Sequence, residues 1–115
     1  MAAKNYITNR TYATLTYEQV LSWLGDKESR KLAHNTTVTR FTDMLVVHYH
    51  GHPIVTLLPE KTIINVCGWY TATTKHRMNW FHGVSVYQKN YQWYINGDEY
   101  LGGEIVAWEK HHDTD

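Results

Sequence analysis

The sequence predicts an α+β protein, mainly an antiparallel β-meander with an N-terminal helix and one mid-chain helix packed on the sheet. From residue 36 to residue 65, β-branched residues dominate and the pattern repeats every two residues, which is typical of strands. The connections within this stretch are short. Because a parallel crossover needs about a dozen residues, neighbouring strands in this region should be antiparallel.

The first predicted helix covers residues 15–24. Thr16 followed by Gln19 forms a capping box, in which each side chain satisfies a backbone N–H at the start of the helix. An apolar stripe that includes Val20 gives the helix a face to bury, and Gly25 ends it.

The remaining elements follow from local signals. A short helical turn is predicted over residues 27–33, and a threonine-capped helix over residues 73–81. Asn96 and Gly97 form a strong turn signal between strands. The predicted strands cover residues 36–41, 45–50, 54–58, 62–66, 84–88, 92–95 and 104–109.

Length and charge limit the organisation and the partners. The 115 residues suit one domain, predicted to span residues 1–115 with a short arm at 1–10 and a frayed tail at 110–115. Eleven basic and eleven acidic side chains cancel, so no overall field attracts the protein to duplex DNA. Net positive charge in the first 40 residues fits either a local basic patch or a solvated mixed surface.

Cysteine usage and the N-terminus indicate the compartment. Cys67 is the one cysteine of the sequence, so no intrachain disulfide can form. The N-terminus lacks the apolar segment of a signal peptide, and no apolar run is long enough to span a membrane. We therefore expect a cytoplasmic protein with no membrane partner.

Three motifs stand out. They are Lys-Leu-Ala-His-Asn-Thr at residues 31–36, Tyr-His-Gly-His-Pro-Ile-Val-Thr at 49–56, and Gly-Trp-Tyr-Thr-Ala-Thr-Thr-Lys-His-Arg-Met-Asn at 68–79. Together they resemble a widespread family of small bacteriophage proteins with the pattern K-[IL]-A-x-N-T followed by G-W-x-T-x-T-T-K-x-R-[IM]-N. The resemblance implies an origin in a phage genome and a location in the cytoplasm of an infected bacterial host. Phage proteins of this size often antagonise host defence, which is an inference from class alone.

Histidines and a basic helix supply the candidate chemistry. His48 and His50 are predicted to share one face of a strand, about 7 Å apart, because side chains alternate along a strand. As an acid and a base they would move protons near neutral pH. A metal pair would need a third ligand that the spacing does not supply, so no metal is expected. The predicted catalytic residues are His50, Lys75, Thr56 and His48.

The helix that begins near residue 73 carries groups suited to a phosphate, namely hydroxyls, basic side chains and the backbone N–H groups of its N-terminus. An aromatic ring just before this helix would stack on a base. The predicted ligand-binding residues are Trp69, Tyr70, Thr73, Thr74, Arg77 and Asn79.

These residues support one leading hypothesis and two alternatives. The leading hypothesis is a phage anti-defence protein that binds a small cyclic nucleotide immune signal. If it also hydrolyses the signal, it is a metal-independent phosphodiesterase that uses His and Lys or Arg and needs no cofactor. One alternative is a non-catalytic protein that binds and inhibits a host defence protein through an aromatic surface, with homo-oligomer formation through an exposed strand edge. The other is an accessory protein that stacks on single-stranded nucleic acid, which the balanced charge disfavours.

Each candidate group also has a purely structural interpretation. The two strand histidines fit half-exposed positions, the basic helix residues fit a solvated face, and the tryptophans fit the core. Trp93 and Trp108 in particular are expected core residues. Cys67 fits a small buried hydrophobe.

Overall fold

A computed structural model describes residues 15–110, and every structural statement below concerns that part of the chain. The predicted arm at 1–10 and residues 111–115 of the predicted tail lie outside it. Within it, the elements in chain order are α1 (Tyr17–Leu24), β1 (Ser29–Ala33), β2 (Thr36–Phe41), β3 (Met44–Tyr49), β4 (His52–Leu58), β5 (Lys61–Asn65), α2 (Ala72–Met78), β6 (Val86–Lys89), β7 (Gln92–Ile95), β8 (Asp98–Glu99) and β9 (Glu104–Glu109). The predicted α+β class is confirmed.

Helix α1 forms with the predicted caps. The Thr16 hydroxyl accepts the backbone N–H of Gln19 at 3.1 Å, and the Gln19 side chain accepts the N–H of Thr16 at 3.0 Å. Gly25 follows the helix with φ +65°, a conformation that favours glycine. The helix is therefore confirmed, although it begins at Tyr17 rather than at residue 15.

Six strands form one antiparallel sheet in the order β1-β2-β3-β4-β5-β9. Each of the first four strands pairs with the next one along the chain, which confirms the predicted meander. Strand β9 returns to this sheet after the other elements and pairs with β5. Strands β1 and β9 are therefore the two edges of the sheet.

The predicted helical turn over residues 27–33 is wrong, because Ser29–Ala33 is strand β1. The side chains of this segment favour a helix in isolation. Pairing with β2 overrides that preference, and Lys31 lies opposite Thr37. Since Leu32 is the one buried residue of this edge strand, the period of two is hard to recognise.

A second layer contains α2 and a small antiparallel sheet in the order β6-β7-β8. The Asn79 side chain joins α2 to β6, because it accepts the N–H of Val86 at 2.7 Å and donates to the Val86 carbonyl at 3.0 Å. The predicted Asn96-Gly97 turn is confirmed, and both residues have positive φ. Strand β8, which follows this turn, was not predicted.

The core lies between the two layers. Along the strands of the six-stranded sheet, side chains at alternate positions point towards the helices and are buried. They form one cluster with residues of α1, α2, β7 and the segment that follows α2. Members of this cluster are Val38, Val47, Val55, Ile64, Val20, Met78, Phe81 and Trp93. Both helices and the small sheet therefore pack on the same face of the large sheet.

Candidate functional site

A groove of about 460 Å³ lies beside the small sheet, which is within the usual range of about 300–1,000 Å³ for small-molecule sites. Its walls come from the chain before α2, from the β6–β7 hairpin and from the segment after β8. Four of the seven lining side chains are aromatic and two are amides, so the groove offers ring faces with hydrogen-bonding groups beside them. The lining residues are Tyr70, Gln88, Tyr91, Gln92, Trp93, Tyr100 and Leu101.

Two of the aromatic rings are accessible. Tyr70 is 50 % exposed, and its ring stands almost perpendicular to Trp93 with centroids 5.0 Å apart. Tyr91 is 96 % exposed at the tip of the β6–β7 hairpin. Both Asn90 and Tyr91 have positive φ there, a conformation that large side chains rarely adopt. The hairpin thus displays a tyrosine where a tight turn usually has glycine or asparagine.

Lys75 does not line this groove but contacts two residues that do, and so places a positive charge beside it. Its ammonium lies 5.2 Å from the centre of the Trp93 ring and donates a hydrogen bond to Gln88 Oε1 at 3.1 Å. Both of these partners line the groove. The α2 backbone positions Lys75, and the ring and the amide hold its side chain towards the small sheet.

The inner wall of the groove is fixed by hydrogen bonds. The Tyr100 hydroxyl accepts the N–H of Val66 at 3.1 Å and donates to the Gly103 carbonyl at 2.5 Å. Gln92 donates to the carbonyls of Trp93 and Tyr100 at 3.1 and 3.0 Å. Burial raises the pKa of the Tyr100 phenol, and the bond from Val66 partly offsets that rise. At neutral pH this ring is an uncharged part of the wall.

A second cluster surrounds His50. This residue lies in the β3–β4 turn with φ +52°, so the prediction that it shares a strand face with His48 is wrong. Its ring stacks on Trp69, with centroids 5.2 Å apart and planes 13° from parallel. The His52 ring is 5.3 Å from the same indole, and Asn35 Nδ2 lies 3.4 Å from His50 Nε2. Trp69 therefore packs against His50 of the turn and His52 at the start of β4.

Arg77 ties α2 to the β1–β2 turn. Its Nε donates to the hydroxyl of the fully buried Thr36 at 2.9 Å, and its Nη2 donates to the carbonyl of His34 at 3.4 Å. The guanidinium also lies 4.8 Å from the Trp80 ring centre and 6.0 Å from that of Tyr49. Burial lowers the pKa of the Arg77 guanidinium, although it stays protonated near neutral pH. The Arg77 guanidinium therefore already has hydrogen-bond and ring partners within the chain.

The other predicted residues of α2 have mainly structural contacts. Thr74 is fully buried, and its hydroxyl lies 3.0 Å from that of Thr71, which caps the helix by accepting the N–H of Thr74. Asn79 bonds to β6 as described above. Thr73 is half-buried on the first turn of the helix.

His48 and Thr56 lie on a different surface. Each belongs to the face of the six-stranded sheet opposite the core, since their strand neighbours Val47 and Val55 point into the core. The four predicted catalytic residues thus occupy three places: this sheet face, the β3–β4 turn that holds His50, and the edge of the groove beside Lys75. Among residues 15–110, no group of three or more His, Cys, Asp or Glu side chains is arranged to hold a metal ion.

Sequence reasoning found Tyr70 and Lys75 but missed most of the groove. Gln88, Tyr91 and Gln92 belong to a run rich in tyrosine and glutamine around the β6–β7 turn. The signal available in the sequence was a tyrosine in the short connection between two predicted strands. Trp93 is buried as predicted, whereas Trp108 and Cys67 are half-buried. Burial raises the pKa of the Cys67 thiol.

No helix within residues 15–110 has the length and apolar character needed to cross a membrane.

Comparison with known proteins identifies the family. Neither the curated proteins nor the solved structures contain a match to the chain. The family described as Kyanoviridae Gp96 protein matches residues 16–113, which is most of the sequence. The chain therefore belongs to the Kyanoviridae Gp96 family of phage proteins.

Proposed function

We propose that this phage protein binds a small nucleotide in the aromatic groove and thereby withholds it from host defence signalling, without hydrolysing it. The observation that carries the proposal is the position of Lys75, whose ammonium is held beside a groove lined by four aromatic rings. Aromatic rings accept a planar base, and an ammonium accepts a phosphate.

The dimensions and exposure of the groove suit such a ligand. Its volume of about 460 Å³ accommodates one or two nucleotide units rather than a folded chain. Tyr70 and Tyr91 present accessible ring faces. With Gln88 Oε1 bonded to Lys75 and the Gln92 NH₂ bonded to two backbone carbonyls, the groups that would meet the edge of a base are the Gln88 NH₂ and the Gln92 side-chain oxygen. A base would stack on either tyrosine with its phosphate directed towards Lys75.

The balanced charge of the chain supports a small ligand over a polymer. Eleven basic side chains are offset by eleven acidic ones. Binding of a long strand depends on many phosphate contacts and on the counterions that they release. A single ammonium beside stacking surfaces is better suited to a mononucleotide or a cyclic dinucleotide.

The arrangement favours binding over cleavage. General acid–base chemistry requires a proton-transferring group within about 3 Å of the reacting atoms. His50 packs on Trp69 in the β3–β4 turn and is not among the groove-lining residues, and His48 lies on the outer side of the large sheet. Lys75 alone would bind a phosphate without completing a phosphodiesterase site.

The test is calorimetric titration of the full chain with mononucleotides, linear dinucleotides and cyclic di- and trinucleotides. We expect at least one of them to bind, with its Kd raised about tenfold or more by Tyr91→Asn or by Lys75→Gln. Asparagine keeps the left-handed turn conformation, and glutamine keeps most of the lysine stem. Chromatography after incubation, with and without a chelator, should recover the ligand intact.

The matched controls are Tyr87→Asn and Lys89→Gln. Both residues are exposed on β6 and alternate with the groove residue Gln88, so they point away from the groove. Neither control should change the affinity. Absence of binding to every nucleotide, or equal effects of the control and groove variants, would refute the proposal, and chelator-insensitive loss of ligand would restore the phosphodiesterase hypothesis.

A second candidate function is docking on a host protein. The observation that favours it is the protrusion of Tyr91, 96 % exposed, beside Leu101, 83 % exposed, since exposed aromatic and apolar groups are typical anchors of interfaces. A host protein retained by the chain and lost with Tyr91→Asn, but not with Lys75→Gln, would favour docking over nucleotide binding.

A further inference from the structure

The face of the six-stranded sheet opposite the core carries an ordered set of side chains, here called the outer face. Its middle row crosses all six strands and consists of small or β-branched residues. In order from β1 to β9, this row contains Ser29, Thr39, Val46, Thr56, Ile63 and Val106.

Three of the six residues in the middle row are apolar, and a further apolar side chain, Phe41, lies beside the row. Val46 is 6 % exposed yet does not belong to the core cluster, because it lies on the other side of β3 from Val47. Val106 on β9 and Phe41 at the end of β2 are 48 % and 46 % exposed. Both helices and the small sheet pack on the core side, so the described elements leave this apolar face without a covering layer.

Charged side chains of the outer face lie in the rows on either side of the middle row. In one of these rows, Lys61 on β5 is paired with Glu109 on β9. In the other row, Lys31 lies on β1 opposite Thr37, and Glu104 lies on β9 opposite Asn65. Both side chains are exposed. One edge of this row is therefore basic and the other acidic, with uncharged residues and His48 between them.

We propose that a second copy of this chain packs on the outer face, related by a two-fold axis parallel to the strands. Such an axis turns the sheet over and places β1 of one copy against β9 of the other. Positions along the strand direction do not change, so each row of one copy faces the same row of the other. Lys31 of each copy then faces Glu104 of its partner. Packed sheets lie about 10 Å apart, a gap that a lysine and a glutamate can bridge.

The available area suits a modest dimer. Six strands spaced about 4.8 Å apart and about five residues long give a footprint of roughly 500 Å² per copy. The total of roughly 1,000 Å² is at the threshold for a specific interface. We therefore expect dissociation in the micromolar range and a dimer fraction that rises with concentration.

A charge exchange tests this arrangement by sedimentation equilibrium of the full chain. Lys31→Glu alone, or Glu104→Lys alone, places like charges together at two symmetric positions and should raise the dimer Kd about tenfold. The double variant Lys31→Glu/Glu104→Lys restores opposite charges across the interface and should recover the wild-type Kd. Within one chain the two edges are about 24 Å apart, beyond the screening length, so recovery cannot arise inside a monomer.

The matched control is Lys89→Glu with Glu99→Lys, which makes the same charge changes at exposed positions of the small sheet. These changes should leave the Kd unaltered. A chain that stays monomeric at millimolar concentration would overturn the proposal. A dimer whose Kd does not change when the charges of residues 31 and 104 are reversed would also overturn it. The latter result would indicate pairing through a strand edge. Nucleotide binding to the groove is independent of either outcome.

Discussion

Replacing Arg77 with methionine removes a guanidinium that joins α2 to the large sheet while keeping an unbranched apolar stem. The lost contacts are the hydrogen bonds to the Thr36 hydroxyl at 2.9 Å and to the His34 carbonyl at 3.4 Å, together with the stacking on Trp80. Thr36 is fully buried, so its hydroxyl oxygen loses a donor where water cannot easily replace it.

The expected cost follows from these contacts. A hydrogen bond from a charged donor contributes about 1.5–3 kcal/mol, and a partly exposed cation–π contact about 0.5–1 kcal/mol. Because contacts of one side chain are not additive, we expect the free energy of unfolding to fall by about 2–3 kcal/mol. For a domain of this size that is roughly 10 °C in Tm. Arg77→Lys should lose most of the same energy, since lysine cannot reproduce the guanidinium fork.

Urea unfolding monitored by tryptophan fluorescence measures this change. Lys89→Met, an exposed substitution on β6, serves as the control and should change the free energy of unfolding by less than about 0.5 kcal/mol. The nucleotide affinity of folded Arg77→Met should match the wild type, because the Arg77 guanidinium contacts Thr36, His34 and Trp80, none of which lines the groove. An Arg77 variant with unchanged stability and lost nucleotide binding would refute the structural role and return Arg77 to the ligand site.

Three further predictions concern stability and reactivity. Gly83→Ala should destabilise the fold by about 3 kcal/mol, because φ is +79° at this position and the new Cβ would lie 2.4 Å from Trp108 Cβ. At Gly97 a new Cβ meets no atom within 4 Å, so Gly97→Ala should cost only about 1 kcal/mol. Thermal unfolding measures both changes. Burial raises the pKa of the Cys67 thiol, so iodoacetamide at pH 8 should alkylate the folded chain more slowly than the chain in urea, and equal rates would contradict this. Burial also raises the pKa of the Tyr100 phenol, so ionisation of this group opposes folding. The free energy of unfolding should therefore fall as the pH rises above about 10, and it should fall less steeply in Tyr100→Phe.

Local signals predicted most of the fold. The Thr16–Gln19 capping box and the Asn96-Gly97 turn depend on neighbouring residues, and both appear as expected. The prediction for the segment that forms β1 failed because its sequence favours a helix, whereas its strand conformation depends on pairing with β2. Strand β8 is only two residues long and leaves no periodicity to detect.

The candidate site was less predictable because its parts meet only through tertiary packing. Lys75 and Tyr70 were recognised by type, but the groove also needs the β6–β7 hairpin to lie beside α2. His50 was assigned to a strand, whereas its left-handed conformation puts it in the turn against Trp69. Residue types indicated a phosphate ligand, and no sequence pattern separated the residues near the groove from those packed elsewhere.

Nuclear magnetic resonance titration of the labelled full chain with the tightest-binding nucleotide tests the groove most directly. The side-chain amides of Gln88 and Gln92 and the indole N–H of Trp93 report on the groove, and the indole N–H of Trp69 reports on the His50 cluster. We expect saturable shifts at the first three signals with little change at Trp69. Shifts centred on Trp69 and His50, with the groove signals unmoved, would contradict it.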